Sequence, residues 1–129
     1  MNERLQAQRP LRDLLQTLPR LPMLDSQVID FAAADAEVLV AIADNAEITV
    51  NVIQQGVGAI GHLLAASAVD LEDGTISADY IESIGFLLAE LGDAGAHFMT
   101  LAAQCRHETH EYRLYLRKSI SSIQIKERQ

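Results

Sequence analysis

The stretch CRHETHEY, residues 105–112, holds most of the side chains in this chain that could do chemistry. It contains the single cysteine, two of the four histidines and two glutamates. Thiolate, imidazole and carboxylate groups are the usual ligands of zinc, and a thiol beside a histidine can act as a nucleophile. The stretch is therefore a candidate metal site, a candidate catalytic site, or the outer surface of a helix.

Helical geometry separates the thiol from the nearest histidine. Residues two apart on an α-helix point about 200° apart, so Cys105 and His107 face opposite ways and cannot share a metal or form a nucleophile–base pair. Cys105 falls on an apolar seam and is predicted to be a small buried residue. His107, His110 and Glu111 do share a flank. We interpret that flank as a solvated helix surface, and a metal-binding helical bundle that uses these three residues stays open as an alternative.

No other part of the chain offers a catalytic pattern. The sequence has no phosphate-binding loop after a strand, no E-x-x-H pair of the di-iron bundles and no H-E-x-x-H motif. GVGAIG, residues 56–61, resembles a dinucleotide-binding fingerprint, but it lies inside a helical repeat with no strand before it. We therefore predict a non-enzymatic protein with no catalytic residues, no cofactor and no bound metal.

The elements that position these residues follow from the apolar spacing. Residues 10–18, PLRDLLQTL, predict a short helix with leucines on one face, and Pro19 and Pro22 end it in a linker. Asp25 or Ser26 is predicted to cap a long helix that follows. The seam of this helix has no charged member and alternates spacings of three and four residues: Ile29, Ala32, Ala36, Leu39, Ala43, Ala46, Val50, Ile53, Val57, Ile60, Leu64, Ser67 and Leu71.

A second apolar stripe lies beside this seam, so the helix must meet more than one neighbour: Val28, Phe31, Val38, Ile42, Val52, Ala59, Leu63 and Ala66. The glycines at 56 and 58 leave a break in the helix open as an alternative. Residues 72–75, EDGT, predict a turn in which Gly74 takes a positive φ angle, and Ser77 is predicted to cap the next helix. That helix has its own seam: Ile81, Ile84, Leu88, Leu91, Gly95, Phe98, Ala102, Cys105, Thr109, Tyr112 and Leu116.

Two heptad helices joined by a short turn predict an antiparallel helical hairpin. We therefore predict an all-α fold in a single domain, residues 1–129. It has an N-terminal helix and proline linker at 1–24, the hairpin at 25–118 and a tail at 119–129. The isoleucine spacing of the tail fits either a helix or a strand, and we expect partial order there.

Residues 48–69 carry no charge over 22 positions, which is the length of a membrane span. Asn51, Gln54, Gln55 and His62 interrupt this segment, so we expect protein rather than lipid to cover it. Two hairpins that pack into a four-helix bundle would supply the cover. The sequence therefore predicts a homodimer with no membrane contact.

Charge is segregated along the chain. All ten Lys and Arg residues lie in residues 1–20 and 105–129, whereas residues 21–104 hold 13 of the 18 acids and no base. The middle therefore has a charge of −13 and the ends have +5. An acidic middle without bases of its own disfavours direct nucleic-acid binding and favours a protein partner with a basic surface. The predicted partner-binding residues crowd the turn of the hairpin: Asp70, Glu72, Asp73 and Asp79.

These patterns predict a small acidic helical protein that acts by binding another macromolecule, as an adaptor, a regulator or an inhibitor. Its size and character fit a phage- or plasmid-type antagonist of a nucleic-acid-binding complex. Nucleic-acid binding through the basic chain ends is a further alternative. The single cysteine excludes an internal disulfide, and the N-terminus has no apolar signal region, so we expect a cytoplasmic location.

Overall fold

The computed structural model describes residues 9–128 and, at position 113, the backbone alone. Arg4 in the basic N-terminal end and Gln129 in the tail lie outside these residues. Within residues 9–128 the chain has no strand and forms five α-helices: α1 Pro10–Thr17, α2 Ala36–Ala66, α3 Ala68–Glu72, α4 Ala78–Glu108 and α5 His110–Glu127. Short 3-10 turns lie at Leu18–Arg20 and Phe31–Ala33. The predicted all-α fold is confirmed.

The two longest helices, α2 and α4, pack along each other as the predicted antiparallel hairpin. The seam positions of α2 from Leu39 onward, and those of α4 from Ile81 to Cys105, are all buried or half-buried. The alternation of three- and four-residue steps places these side chains on one face of each helix. The apolar spacing therefore predicts both the pairing and the face through which it occurs.

Helix α1 packs on α2 with Pro10 in its first turn, as the leucine spacing predicts. Leu14 is 0 % exposed and belongs to the core. Leu11 and Leu15 lie on the same predicted apolar face, yet both remain exposed. One edge of α1 therefore presents apolar side chains to solvent.

Helix α2 begins later than the sequence predicts. The expectation that Asp25 or Ser26 caps it is wrong, because the helix starts at Ala36. The carboxylate of Asp35 accepts a hydrogen bond from the backbone N–H of Glu37 at 3.3 Å and supplies the cap.

The segment between α1 and α2 is held instead by local hydrogen bonds. Gln27 has a φ angle of 63°, and the turn around it lets Met23 and Ile29 form an isolated antiparallel bridge. The carboxylate of Asp30 accepts a hydrogen bond from the N–H of Ala33 at 3.2 Å and caps a separate 3-10 turn. Short acidic side chains thus offer the backbone partners that compete with a continuous helix.

Within the hairpin, α2 runs without interruption through its glycines to Ala66, so the alternative of a break near Gly56–Gly58 is wrong. The helix ends at Ser67, whose φ and ψ angles of −95° and 10° leave the helical range, and the short α3 follows. The seam therefore reaches Leu71 in two helices rather than one.

The turn at the tip of the hairpin forms as predicted. Gly74 has a φ angle of 81°, a conformation that costs other residues more than glycine. The Oγ atom of Ser77 accepts a hydrogen bond from the backbone N–H of Asp79 at 3.2 Å and caps α4. Both predictions for the tip are confirmed.

The described part of the tail is helical as the continuation of α5, so the strand alternative is wrong, and the expectation of partial order stays a prediction. Helix α4 ends at Thr109, a buried residue whose Oγ1 donates a hydrogen bond to the carbonyl oxygen of Cys105 at 2.8 Å. Within the described residues, α5 packs only against the end of α4, apart from isolated contacts. From Leu114 to Arg128 every described side chain except the half-buried Ser119 is exposed. Helix α5 therefore projects from the body of the protein.

The hydrophobic core lies at the open end of the hairpin. It joins α1 and the segment after it to the first half of α2 and the last part of α4: Leu14, Leu21, Val38, Leu39, Ile42, Ala43, Ala46, Ala102 and Cys105. Beyond Val50, toward the tip, the seam residues of both helices are at most half-buried. Among the described residues, the distal half of the hairpin is therefore covered mainly by the opposite helix alone.

Candidate protein-interaction surface

The CRHETHEY stretch divides between the core and the solvent. Cys105 is 0 % exposed, as its seam position predicts. Burial raises the pKa of its thiol to about 11, although the nearby charge of Arg106 acts in the opposite direction. The thiol is therefore protonated at neutral pH and is a poor nucleophile.

The other members of the stretch do not assemble into a ligand set. His107, His110 and Glu111 are all exposed, and His110 begins a new helix after Thr109. Nowhere in residues 9–128 do three or more His, Cys, Asp or Glu side chains form a group that could hold a metal. The described residues of this stretch therefore offer neither an activated thiol nor a metal cage.

An ion pair across the hairpin is the strongest polar contact that the sequence analysis missed. Arg106 of α4 donates hydrogen bonds to the carboxylates of Glu47 and Asp44 on α2. The side chain of Arg106 is 21 % exposed, and those of the two acids are about half exposed. Two acids of residues 21–104 therefore have a basic partner that comes from outside that stretch. The sequence feature that could have indicated this ion pair is the position of Arg106 directly after the seam residue Cys105.

The four predicted partner-binding acids all lie at the tip of the hairpin. Asp70 and Glu72 belong to α3, Asp73 follows it, and Asp79 lies in the first turn of α4. All four are exposed. The fold therefore brings them to one end of the molecule, and their role in partner binding stays a prediction.

Local hydrogen bonds order one of these acids. The Oδ1 atom of Asp73 accepts hydrogen bonds from the hydroxyl of Thr75 at 2.6 Å and from its backbone N–H at 2.9 Å. These two bonds, with the hydroxyl contributing most, lower the pKa of Asp73 below its ordinary value. The ionised carboxylate of Asp73 therefore helps to hold the turn.

The distal half of the hairpin exposes an apolar surface, which we call the distal face. It comprises Val52, Ala59 and Leu63 of α2 and Tyr80 and Leu87 of α4, all of which are exposed. The α2 members belong to the second apolar stripe, whose earlier residues Val38 and Ile42 are buried in the core. The stripe is therefore covered near the open end and bare toward the tip.

A groove lies between α1 and the distal face. Its volume is about 890 Å³, and its lining comes from α1 and the segment before it, from α2 and from one residue of α4: Arg9, Pro10, Leu11, Arg12, Leu15, Gln16, Thr49, Val52, Ile53, Gly56, Val57, Ile60 and Leu91. Leu91 lies on the same flank of α4 as Tyr80 and Leu87, because helical residues spaced by three, four or seven share a side. Val52 belongs to both, so the groove adjoins the distal face.

Helix α5 exposes further apolar side chains, on two opposite sides of the helix. Its uncovered large side chains are Leu114, Tyr115, Leu116, Ile120, Ile123 and Ile125. Exposed basic residues lie among them at Arg117, Lys118 and Lys126. The described residues thus expose apolar side chains in two places: among acidic residues on the hairpin and among basic residues on α5.

Comparisons of the chain with protein-family models, with curated proteins and with solved structures find no match. Along residues 9–128, no helix combines the length and the apolar character needed to cross a bilayer. The described surface offers exposed apolar side chains, which binding to a partner would bury, and charged side chains, which would orient that partner.

Proposed function

We propose that this protein is a non-enzymatic acidic helical protein that acts by binding another macromolecule, as an adaptor, a regulator or an inhibitor. The exposed apolar surface on the distal half of the hairpin is the observation that carries this proposal. Soluble monomers rarely leave a contiguous apolar patch of this kind uncovered, and such patches mark interaction sites. The buried and protonated thiol of Cys105 supports a role that does not depend on nucleophilic chemistry.

The first partner in this proposal is a second copy of the chain. Two hairpins pair as a homodimer and form a four-helix unit, which supplies the cover that one hairpin lacks. The half-buried seam residues beyond Val50 support this step, because a lone two-helix layer leaves them partly in water. The uncharged segment 48–69 lies in this same region.

The second partner is a protein with a basic surface, which docks on the acidic tip formed by Asp70, Glu72, Asp73 and Asp79. No base lies in residues 21–104, and the one described pairing across the hairpin, through Arg106, involves acids near the open end. An acidic tip steers a basic partner into contact and repels phosphate groups. An antagonist that occupies the nucleic-acid-binding surface of a regulatory or defence complex, of the phage or plasmid type, fits this charge. The single free cysteine supports the proposal of a reducing compartment such as the cytoplasm.

Affinity purification from the cells that produce the protein tests the proposal, with two matched variants. The tip variant carries Asp70→Asn, Glu72→Gln, Asp73→Asn and Asp79→Asn. The control variant removes the same number of charges from the other end of the hairpin, through Asp25→Asn, Glu37→Gln, Glu108→Gln and Glu111→Gln. All eight side chains are exposed.

We expect the wild type and the control to recover the same basic partner, and the tip variant to recover several-fold less of it. The purified pair should then associate more slowly with the tip variant, and its association rate should depend less on salt. Equal recovery by the two variants, with unchanged association rate and salt dependence, would show that the tip is not the docking surface.

A further inference from the structure

The unpartnered face of α5 continues the seam of α4. The three- and four-residue steps that bury Cys105 and Thr109 lead on to Tyr112, Leu116 and Ile123 in α5. Tyr112 is half-buried, but Leu116 and Ile123 are exposed. The hairpin supplies a partner for this seam only as far as the first turn of α5. Among the described residues, the remaining turns of this helix have no surface to pack against on their own chain.

The dimensions of α5 match those of the distal face. Helix α5 has 18 residues, which gives a length of about 27 Å. The bare stretch of α2 from Val52 to Ala66 spans about 21 Å at the same rise per residue. One copy of α5 is therefore long enough to span this stretch of α2 along its whole length.

The charges favour binding of α5 to the distal face over binding of two α5 helices to each other. Residues 51–104, which include the distal face and the tip, contain seven acids and no base. Residues 110–127 contain four bases and two acids, so α5 is positively charged. Two α5 helices laid together would place like charges side by side, whereas α5 on the distal face places opposite charges side by side. The occupant that the charges favour is therefore the α5 of another copy.

The topology prevents α5 from filling the distal face of its own chain. Helix α5 leaves from the end of α4 that lies farthest from the tip, and α4 is about 46 Å long. With two hairpins side by side in opposite directions, each α5 extends beyond its own open end toward the tip of the other copy. A two-fold axis then makes two identical contacts and closes the assembly.

We propose that two copies of this protein form an antiparallel dimer in which α5 of each copy binds the distal face of the other. This inference rests on the homodimer in the proposed function, and it replaces the four-helix unit there by a packing in which α5 of the other copy covers each distal half. In it, α5 runs toward the tip alongside α2, with Leu116 near Gly56 and Ile123 near Leu63. Each distal half becomes a three-helix layer in which the α5 face and the distal face are both buried.

A pair of matched substitutions tests which side of α5 is buried. Ile123 and Ile125 are similarly exposed, at 57 % and 61 %, but two residues on a helix point about 200° apart. Ile123→Asp puts a charge into the proposed contact and should weaken dimerisation by at least about tenfold. Ile125→Asp should dimerise like the wild type. Light scattering after size exclusion, over a range of concentrations, measures both, and circular dichroism checks that each variant is folded.

Crosslinking of mixed single-cysteine variants tests the contact itself. Leu63→Cys and Ile123→Cys proteins are mixed and treated with a short bismaleimide, and the wild type controls for the buried Cys105. We expect a crosslinked dimer from this mixture, and far less from Leu63→Cys mixed with Ile125→Cys. Crosslinking of Ile123→Cys to itself at the same rate would overturn the proposal in favour of paired α5 helices.

The outcomes separate this inference from the proposed function. A dimer that tolerates Ile123→Asp overturns the α5 contact and leaves the homodimer standing. A wild-type protein that stays monomeric at micromolar concentration overturns both the contact and the homodimer. Binding of a basic partner at the tip is judged separately, by the tip variant and its control.

Discussion

The guanidinium of Arg106 lies across the hairpin from the carboxylate of Glu47 and binds both of its oxygens. Nε donates a hydrogen bond to Oε1 at 3.0 Å, and Nη2 donates one to Oε2 at 2.9 Å. Asp44, one turn earlier on α2, accepts another hydrogen bond from Nη2. The hydrogen bond with Glu47 is the main reason why the pKa of Arg106 is raised above its ordinary value. This pair joins the two long helices beside the buried Cys105.

Replacing Arg106 by Met should lower the free energy of unfolding by about 1–2 kcal/mol, because the two-point contact is lost and two acids are left close together. Arg106→Lys should lose about half as much, since lysine keeps the charge but not the fork geometry. The control is Arg12→Met, which removes an exposed pair with the adjacent Asp13 and should change stability little. Urea unfolding measures all three. Equal losses for Arg106→Met and Arg12→Met would contradict a specific role for the cross-hairpin pair.

Leu14 should hold α1 against the hairpin. It is completely buried, whereas the adjacent Leu15 is exposed. Leu14→Ala should therefore lower the free energy of unfolding by about 3 kcal/mol through lost burial and the cavity left behind. Leu15→Ala, with the same change of side chain on the same helix, should cost about 0.5 kcal/mol or less. Denaturant unfolding compares the two, and similar losses would mean that α1 packs through a different face.

The hairpin could be predicted from the sequence because its apolar residues recur at regular spacings. Steps of three and four residues identify the seams of α2 and α4, and Gly74 and Ser77 identify the turn between them. The start of α2 could not be predicted in this way. Ile29 and Ala32 satisfy the seam spacing, but the carboxylates of Asp30 and Asp35 cap local structure instead. Apolar spacing says nothing about such competing hydrogen bonds.

The candidate surface was only partly predictable for a related reason. The position of the tip acids follows from the turn, and the need for more cover follows from the second stripe of α2. The role of Arg106 depends on which residues of α2 lie opposite it, which is a tertiary relationship. The sequence did not decide the helical state of α5, because Ile123 and Ile125 have the two-residue spacing of a strand while the isoleucines of the tail also fit a helix.

Cys105 should make stability depend on alkaline pH. The thiol of the unfolded chain ionises near the ordinary pKa of 9.0, whereas the buried thiol keeps its proton until about 11. Above pH 9 the unfolded state therefore binds fewer protons than the folded state, and the free energy of unfolding falls by about 2 kcal/mol between pH 9 and 11. Cys105→Ala removes this loss while adding a pH-independent cost. Urea unfolding at several pH values tests it, and parallel pH profiles for the two proteins would contradict it.

His107 and His110 should contribute little to the fold. Both are exposed. Replacing them together by Ala should change the free energy of unfolding by about 0.5 kcal/mol or less and leave helicity unchanged. Thermal unfolding with and without added zinc measures the effect. A zinc-dependent rise in the melting temperature of the wild type that the double variant lacks would instead support a metal site at His107, His110 and Glu111.

Two neighbouring acids of the tip should affect stability in opposite directions. Glu72 lies at the C-terminal end of α3 among other acids, so Glu72→Gln should stabilise the protein by about 0.3 kcal/mol. Asp73→Ala should destabilise the protein, because Thr75 loses its acceptor. Asp73→Asn keeps an acceptor oxygen, so its stability should lie between those of the wild type and Asp73→Ala.

Since the pKa of Asp73 is lowered, the contribution of its charge to stability is present above the ordinary carboxyl pKa and is lost as the pH falls. The difference between wild type and Asp73→Asn in thermal unfolding should therefore shrink from pH 7 to pH 3. A difference that stays constant over this range would show that the charge of Asp73 does not hold the turn.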